Sequence, residues 1–464
     1  MVLFFVSLQI FLTSTLSDSS GVIENKSGKK DSFYRVNLKH IDYLNEIIHI
    51  DGIPMMITHI YSEYPNYDWE EASGEGIACI DDVSRAVILY LKHYELYEDS
   101  LSLEKAKKGL KFVIYMEQKD GQFYNFIRRD YTINKEGKNS KKSFNFWAVR
   151  GLRALCYGYR VLTKINDPFA RELREQIEPT LDQIKNFLKH YGEYEFFCEV
   201  KVPKWLIGGG DATAEVILAL LDYYTVNPDD EIKGFIEKLA DGLVQFQVKN
   251  SENPLYGMHF SWKNHWHAWG NTQTEALAKA GRTFKNSSWL ESAKMEADNF
   301  YLFLLSKNFL QSIELRKGNQ TKIKVYPQIS YGIRPMVSGF IQLYIATKED
   351  KYAKLAGLVA SWLRGNNRAH EVMYDQKTGR GFDGIQSEDE INRNSGAEST
   401  IEAIMAIMEI AWNPTSMRYF YYTLETKNEI KNYVVYRGIN QKEIKIGFDE
   451  RLNGWSISEN LFNK

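Results

Sequence analysis

The sequence predicts an all-α chain wound into an (α/α)6 toroid, with short β-hairpins in the rim loops and a small C-terminal β appendage. Three observations carry this expectation. Six segments read as helices with apolar residues on more than one face, each opened by polar or small residues; such helices are buried all round. Between them lie segments with apolar residues at three- and four-residue spacing and Lys or Glu elsewhere, as in a helix with one wet face. The buried segments start near residues 81, 146, 210, 270, 332 and 395. A repeat of that length marks one supersecondary unit used over and over.

The chain opens with MVLFFVSLQIFLTSTLSDSS, an apolar run too short for a bilayer span and right for a signal-peptide core. Residues 1–17 are therefore expected to be a signal peptide, although without a basic n-region, and the protein to be exported or extracellular. Sequons at Asn25, Asn286 and Asn319 fit that compartment. Apart from this leader no stretch reads as a membrane span. In residues 18–49 the stretch NLKHIDYLNEIIHI could close the ring, because no sixth outer helix is evident after Ile410.

The toroid is expected over residues 50–412. Its buried helices are IDDVSRAVILYLKHYE, FNFWAVRGLRALCYGYRVL, GGGDATAEVILALLDYY, WGNTQTEALAKAG, YGIRPMVSGFIQLYIAT and NSGAESTIEAIMAIMEIAW. The outer helices are SLEKAKKGLKFVIYMEQ, FARELREQIEPTLDQIKNFLKHY, DEIKGFIEKLADGLVQFQ, SSWLESAKMEADNFYLFLLSK and DKYAKLAGLVASWLRGNN. Two of them, DEIKG and SSWLE, open with residues that cap well. The long stretches ahead of the second and third buried helices read as hairpins and loops gathered at one rim. Over residues 413–464 the pattern changes: MRYFYYTLET, KNYVVYRGI and KEIKIGFDE alternate like strands.

Composition narrows the function. At 464 residues and 44% hydrophobic the chain can bury a large core. A net charge of −2 leaves no basic stripe for a nucleic acid. The three cysteines, Cys79, Cys156 and Cys198, are far apart, which argues against both a zinc site and a disulfide scaffold. GGGDATAE lacks the context of a phosphate loop, and no D-x-D-x-D-G calcium loop occurs. No metal or cofactor is expected. The 29 Tyr and 10 Trp fill the core, and their flat faces also suit stacking on sugar rings, so the expected partner is a carbohydrate.

In such a toroid the amino ends of the buried helices converge on one funnel, which singles out the residues that open them. Glu75, Asp81 and Asp82 lead the first and Trp147 the second. Asp211 follows three glycines at the third, where glycine permits close backbone approach. NHWHAWGN brings His265, Trp266, His267, Trp269 and Asn271 to the fourth as a wall for stacking and hydroxyl binding. Arg334 opens the fifth, to bond a substrate carboxylate or pair with a neighbouring acid. Asp383, Asn394 and Glu398 gather at the sixth. An acidic residue at a helix start also serves as a plain cap, and Ser395 with Glu398 has capping-box spacing. The Asp81–Asp82 doublet exceeds what one cap needs: one aspartate is expected to cap and the other to face the funnel.

The six-hairpin order with acidic helix starts resembles the six-hairpin glycosidase superfamily, which holds glycoside hydrolases and some uronate-processing lyases and epimerases. EGIACIDDVSRA, GQFYNFI and NSGAESTIEA resemble segments of uncharacterised (α/α)6 proteins and of toroid domains attached to glycosyltransferases, over roughly residues 50–412. A glycoside hydrolase is the leading expectation, with Asp82 or Asp81 as base and Glu398, or as second candidate Asp211, as acid, opposed across the funnel at the inverting distance. A lyase or uronate epimerase would instead use Tyr331, His265 or His267 as base and Arg334 as clamp. A toroid that binds glycans without catalysis is the third reading.

Overall fold

The computed structural model describes residues 34–461 apart from 440 and 452. The leader reading of residues 1–17 and the sequon at Asn25 lie outside them. A short helix, α1 (Lys39–Leu44), precedes the toroid. The helices then alternate: α2 (Ile80–Tyr97), α3 (Ser100–Met116), α4 (Phe146–Lys164), α5 (Phe169–Leu188), α6 (Gly210–Val226), α7 (Asp230–Gln245), α8 (Gln273–Phe284) and α9 (Ser287–Met295). A π turn, Glu296–Phe300, joins α9 to α10 (Tyr301–Ser306), and α11 (Ser330–Thr347), α12 (Asp350–Ala360), α13 (Ala397–Ala411) and α14 (Pro414–Phe420) complete the set.

The buried helices α2, α4, α6, α8, α11 and α13 pack in that order, and α13 returns to α2. The ring is closed. Side chains explain the two layers. In α6 every residue from Gly210 to Tyr223 is buried, so no face is left for water. In α5 only Ala170, Leu173, Ile177, Thr180, Ile184 and Leu188 are buried, a single stripe at helical spacing.

Two expectations about the ends of the toroid need correction. A sixth outer helix does exist: α14 starts at Pro414, where proline fits the first helical turn, and the Asn413 side chain accepts from the Ser416 N–H at 3.0 Å. MRYFYY is therefore helix through Phe420, and its alternation of large residues reflects one buried helical face rather than a strand. The N-terminal stretch is not one ring-closing helix. It is α1 followed by the strand Asn45–Ile50, which pairs antiparallel with Ile53–Thr58. Capping also falls one residue earlier than expected, on Asp229 for α7 and Asn286 for α9.

The rim carries the small sheets. Tyr194–Phe197 pairs with Val200–Pro203. His265–His267, Ser312–Arg316 and Gln320–Lys324 form a three-stranded sheet. At the C-terminus Thr423–Asn428, Tyr433–Arg437, Lys442–Asp449 and Gly454–Leu461 make an antiparallel meander. Val434, Tyr436, Ile444 and Ile446 bury one face of it in the common core. No helix among the described residues is long and apolar enough to cross a membrane.

Candidate functional site

The first buried helix is capped by a thiol. Cys79 Sγ accepts from the Asp82 N–H at 3.5 Å and donates its proton to Asp82 Oδ2 at 3.4 Å. Burial and both aspartates hold that thiol protonated. Neither member of the doublet acts as the N-cap, contrary to expectation. Asp82 stands at the third helical position and reaches back to the cap residue, as an acid does in a capping box, and it is only 5% exposed. Burial pushes its carboxyl up to about 7 against the pull of Arg85, with Asp81 and Glu398 adding to the rise. Asp81 is the more open member at 23% exposed, and two guanidinium groups grip it: Arg150 Nε at 2.7 Å and Arg85 Nε at 3.3 Å.

Glu398 joins the same cluster from α13. Its Oε2 lies 2.7 Å from Arg85 Nη1, and the side chain keeps 39% of its surface open. Its carboxyl is pushed up by burial against the attraction of Arg85, with Asp81 and Glu402 adding to the rise. The expected capping box does not form: Ser395 Oγ donates instead to the Gly381 carbonyl. The cap comes from Asp383, whose Oδ1 accepts from the Gly396 N–H at 2.9 Å and the Ser399 hydroxyl at 2.7 Å. Asp383 is thus committed to holding α13. The Tyr61 hydroxyl has its pKa raised, first by burial and then by Asp82, Asp383 and Glu398 among others. Glu398 and the doublet are therefore neighbours on adjacent helices, not opposed across the funnel.

Asp211 belongs to a second group. Its Oδ2 lies 3.3 Å from His267 Nε2. His267 Nδ1 is 2.8 Å from the Trp269 carbonyl, which can only accept, so Nδ1 carries a proton. Nε2 is thereby the ring atom that faces Asp211. The Trp269 and His267 rings stack at 4.0 Å. The glycines before Asp211 do not open a path for a ligand. A Cβ on Gly209 would stand 2.5 Å from the Ser261 carbonyl oxygen, and one on Gly210 would stand 2.3 Å from that of Phe260. They let the loop lie against the Phe260–Ser261 backbone.

NHWHAWGN divides. His265–His267 is a strand, and alternate residues face opposite ways. His265 and His267 look outward, whereas Trp266 enters the core edge-on to Phe300 at 5.0 Å. Trp266 is not part of a binding wall. Asn271 is also structural: its Oδ1 accepts from Ser261 Oγ at 2.8 Å and Gln273 Nε2 at 3.0 Å. Glu75 tethers a loop, with Oε1 accepting from the Asn139 N–H at 2.9 Å. Asn394 Oδ1 accepts from the Tyr64 N–H at 3.0 Å, bracing the rim. Trp147, half-buried, packs against the core.

Arg334 is no substrate clamp. It is 2% exposed, its Nε donates to Glu402 Oε2 at 2.5 Å, and Glu275 Oε2 lies 3.7 Å from Nη1. It belongs to a ring of charges in the first turns of the buried helices. Arg85 meets Glu402 at 3.6 Å, Arg150 meets Asp81, Arg153 pairs with Glu215 and approaches Glu275 at 3.4 Å, and Arg334 closes the circuit. Tyr331 is buried beneath two guanidinium carbons, Arg85 at 4.2 Å and Arg150 at 5.0 Å. Sequence reasoning missed Arg85, Arg150, Arg153, Glu215, Glu275 and Glu402. The available signal was a charged residue in the first turns of otherwise apolar helices.

No protein-family model and no curated protein matches the chain by sequence. Among solved structures it is similar to cellobiose 2-epimerase from Bacillus thermoamylovorans, at a TM-score of 0.56 and 14% identity over 81% of this chain and 96% of that one. It is similar to D-mannose isomerase, at 0.52 and 13% over 76% and 90%. It is also similar to an alpha-1,6-mannanase from Salegentibacter sp., an inactive variant altered at two consecutive aspartates in complex with alpha-1,6-mannotetrose, at 0.50 and 13% over 80% and 96%. These likenesses show the fold, an (α/α)6 toroid.

Proposed function

We propose that the protein is a carbohydrate-active enzyme, and specifically a glycoside hydrolase working with Glu398 as acid and Asp81 as the second carboxyl group. The observation that carries the reading is the sharing of Arg85 by two carboxyl groups of unlike environment. Glu398 is open to the mouth and held toward its protonated form, whereas Asp81 lies between Arg85 and Arg150. Glycosidic cleavage needs such a pair, one member protonating the leaving oxygen while the other stays charged. Asp82 is only 5% exposed, so in this reading it acts on its neighbours and not on the substrate. The mannanase inactivated at consecutive aspartates supports a working doublet at a toroid mouth.

The test is turnover on a panel of polysaccharides, read as release of reducing ends. Glu398→Gln is expected to lose at least about a thousandfold in kcat, with an unchanged melting transition. Because the acid must be protonated, activity should fall as pH rises past the raised Glu398 pKa, and that alkaline limb should vanish in the variant. Full activity in Glu398→Gln would remove the assignment.

A second reading rests on His267 Nε2 facing Asp211 at 3.3 Å. This dyad suits proton abstraction beside a carbonyl, as epimerisation or isomerisation requires, and the likeness to an epimerase and an isomerase supports it. Solvent deuterium entering a sugar without chain cleavage, and lost in His267→Gln, would establish it over hydrolysis.

A further inference from the structure

We infer that the sugar chain accepted at this mouth is anionic, its negative groups lying along a lysine wall formed by Lys263, Lys322 and Lys324. The inference rests on the proposed action on carbohydrate and names the substrate class. The wall grows out of the second group of residues. In the three-stranded rim sheet, Ser312 stands opposite His267 and Lys324, and Glu314 stands opposite His265 and Lys322. Directly opposed residues share a face, so the face that carries the histidines continues outward into two lysines. These alternate along one strand, about 7 Å apart. Lys263 sits in the adjoining turn with its ammonium 4.3 Å from the Trp262 ring and 4.6 Å from that of Phe197. Trp262 is 47% exposed, a flat platform with a cation beside it.

Among the described residues none of these three lysines is in an ion pair. The nearby carboxylates are Glu314, which stands opposite Lys322, lies 3.2 Å from Arg316 and faces His265 at 4.0 Å, and Asp211, which faces His267 at 3.3 Å. The whole chain carries a net charge of −2, so the wall is a local excess and not part of a basic protein. At the other group the carboxyls are already paired with Arg85 and Arg150, so the negative groups of the sugar would lie toward the wall lysines and a glycosidic bond toward the carboxyls. Carboxylate and sulfate share this chemistry.

Binding of polygalacturonate, dextran sulfate and neutral mannan to the full chain tests this at two salt concentrations. Polygalacturonate or dextran sulfate should bind at least tenfold more tightly than mannan and weaken with salt. The triple variant Lys263→Ala, Lys322→Ala, Lys324→Ala should lose at least tenfold. A control triple, Lys108→Ala, Lys111→Ala, Lys119→Ala on and just after α3, should lose nothing. Equal binding of mannan, an unaffected wall variant or an equal loss in the control overturns the inference. Glu398→Gln separates the two claims. Polyanion binding lost only in the wall variant, with no cleavage of any glycan, sinks hydrolysis and leaves the wall. Cleavage of mannan with polyanions ignored does the reverse.

Discussion

Glu117 shows what a single buried side chain costs. It closes α3, both its carboxylate oxygens are buried, and neither has a hydrogen-bond partner. Burial alone raises its carboxyl from 4.5 to about 8. The folded chain therefore holds this proton more tightly than the unfolded one. Its contribution is fully present below the unfolded value near 4.5 and is lost as pH rises through about 8. Glu117→Met, similar in volume and without charge, should leave stability unchanged near pH 4 and raise it progressively toward pH 8. The gain is up to about 5 kcal/mol, and urea unfolding midpoints across that range measure it. At the same scale, Trp266 shows a cue that was present but unused. Alternation in HWH sends the tryptophan inward, and a strand period would have separated it from its flanking histidines.

Between elements, glycine marks where helices touch. A Cβ at Gly357 in α12 would lie 2.1 Å from the Ser416 carbonyl oxygen and 2.9 Å from the Phe420 nitrogen in α14. Gly357→Ala should therefore push α14 outward and cost about 1–3 kcal/mol in urea unfolding. Gly234 in α7 has nothing within 4 Å of its Cβ position. Gly234→Ala should stabilise by about 0.5–1 kcal/mol, because alanine loses less backbone entropy on entering a helix. The six buried helix starts were legible to within three residues: 81, 146, 210, 270, 332 and 395 expected against Ile80, Phe146, Gly210, Gln273, Ser330 and Ala397 observed. The short sixth outer helix was not, because seven residues offer barely two turns of periodicity.

Across the whole molecule the charge ring binds all six buried helices into one unit. Glu215, held by Arg153, with Arg150 and Arg334 also near, is ionised with its carboxyl brought down to about 2. A second circuit lies deeper. Glu95 is gripped by Arg160 through two contacts of 2.8 Å, and Asp222 lies 3.2 Å from Arg160 and 2.8 Å from Lys279. Such buried pairs add little net stability, yet removing one partner strands the other without solvent. Arg334→Met should cost about 3–5 kcal/mol, and the double variant with Glu402→Met should cost less than the single. Calorimetric melting of the three proteins checks this; an unchanged melting point in Arg334→Met would mean that the ring is not coupled as drawn.

By itself the sequence determined the repeat, the two classes of helix and the acidic character of the helix starts, because hydrophobic period and capping chemistry act over a few residues along the chain. Only the tertiary structure decided what each polar residue does. Arg334 became a ring partner and Asp383 a helix cap, while Asp211 met His267 and Glu398 met Arg85. Those roles depend on which groups residues far apart in sequence bring within a few ångströms, where burial and charge act on a side chain without leaving any local mark in the sequence.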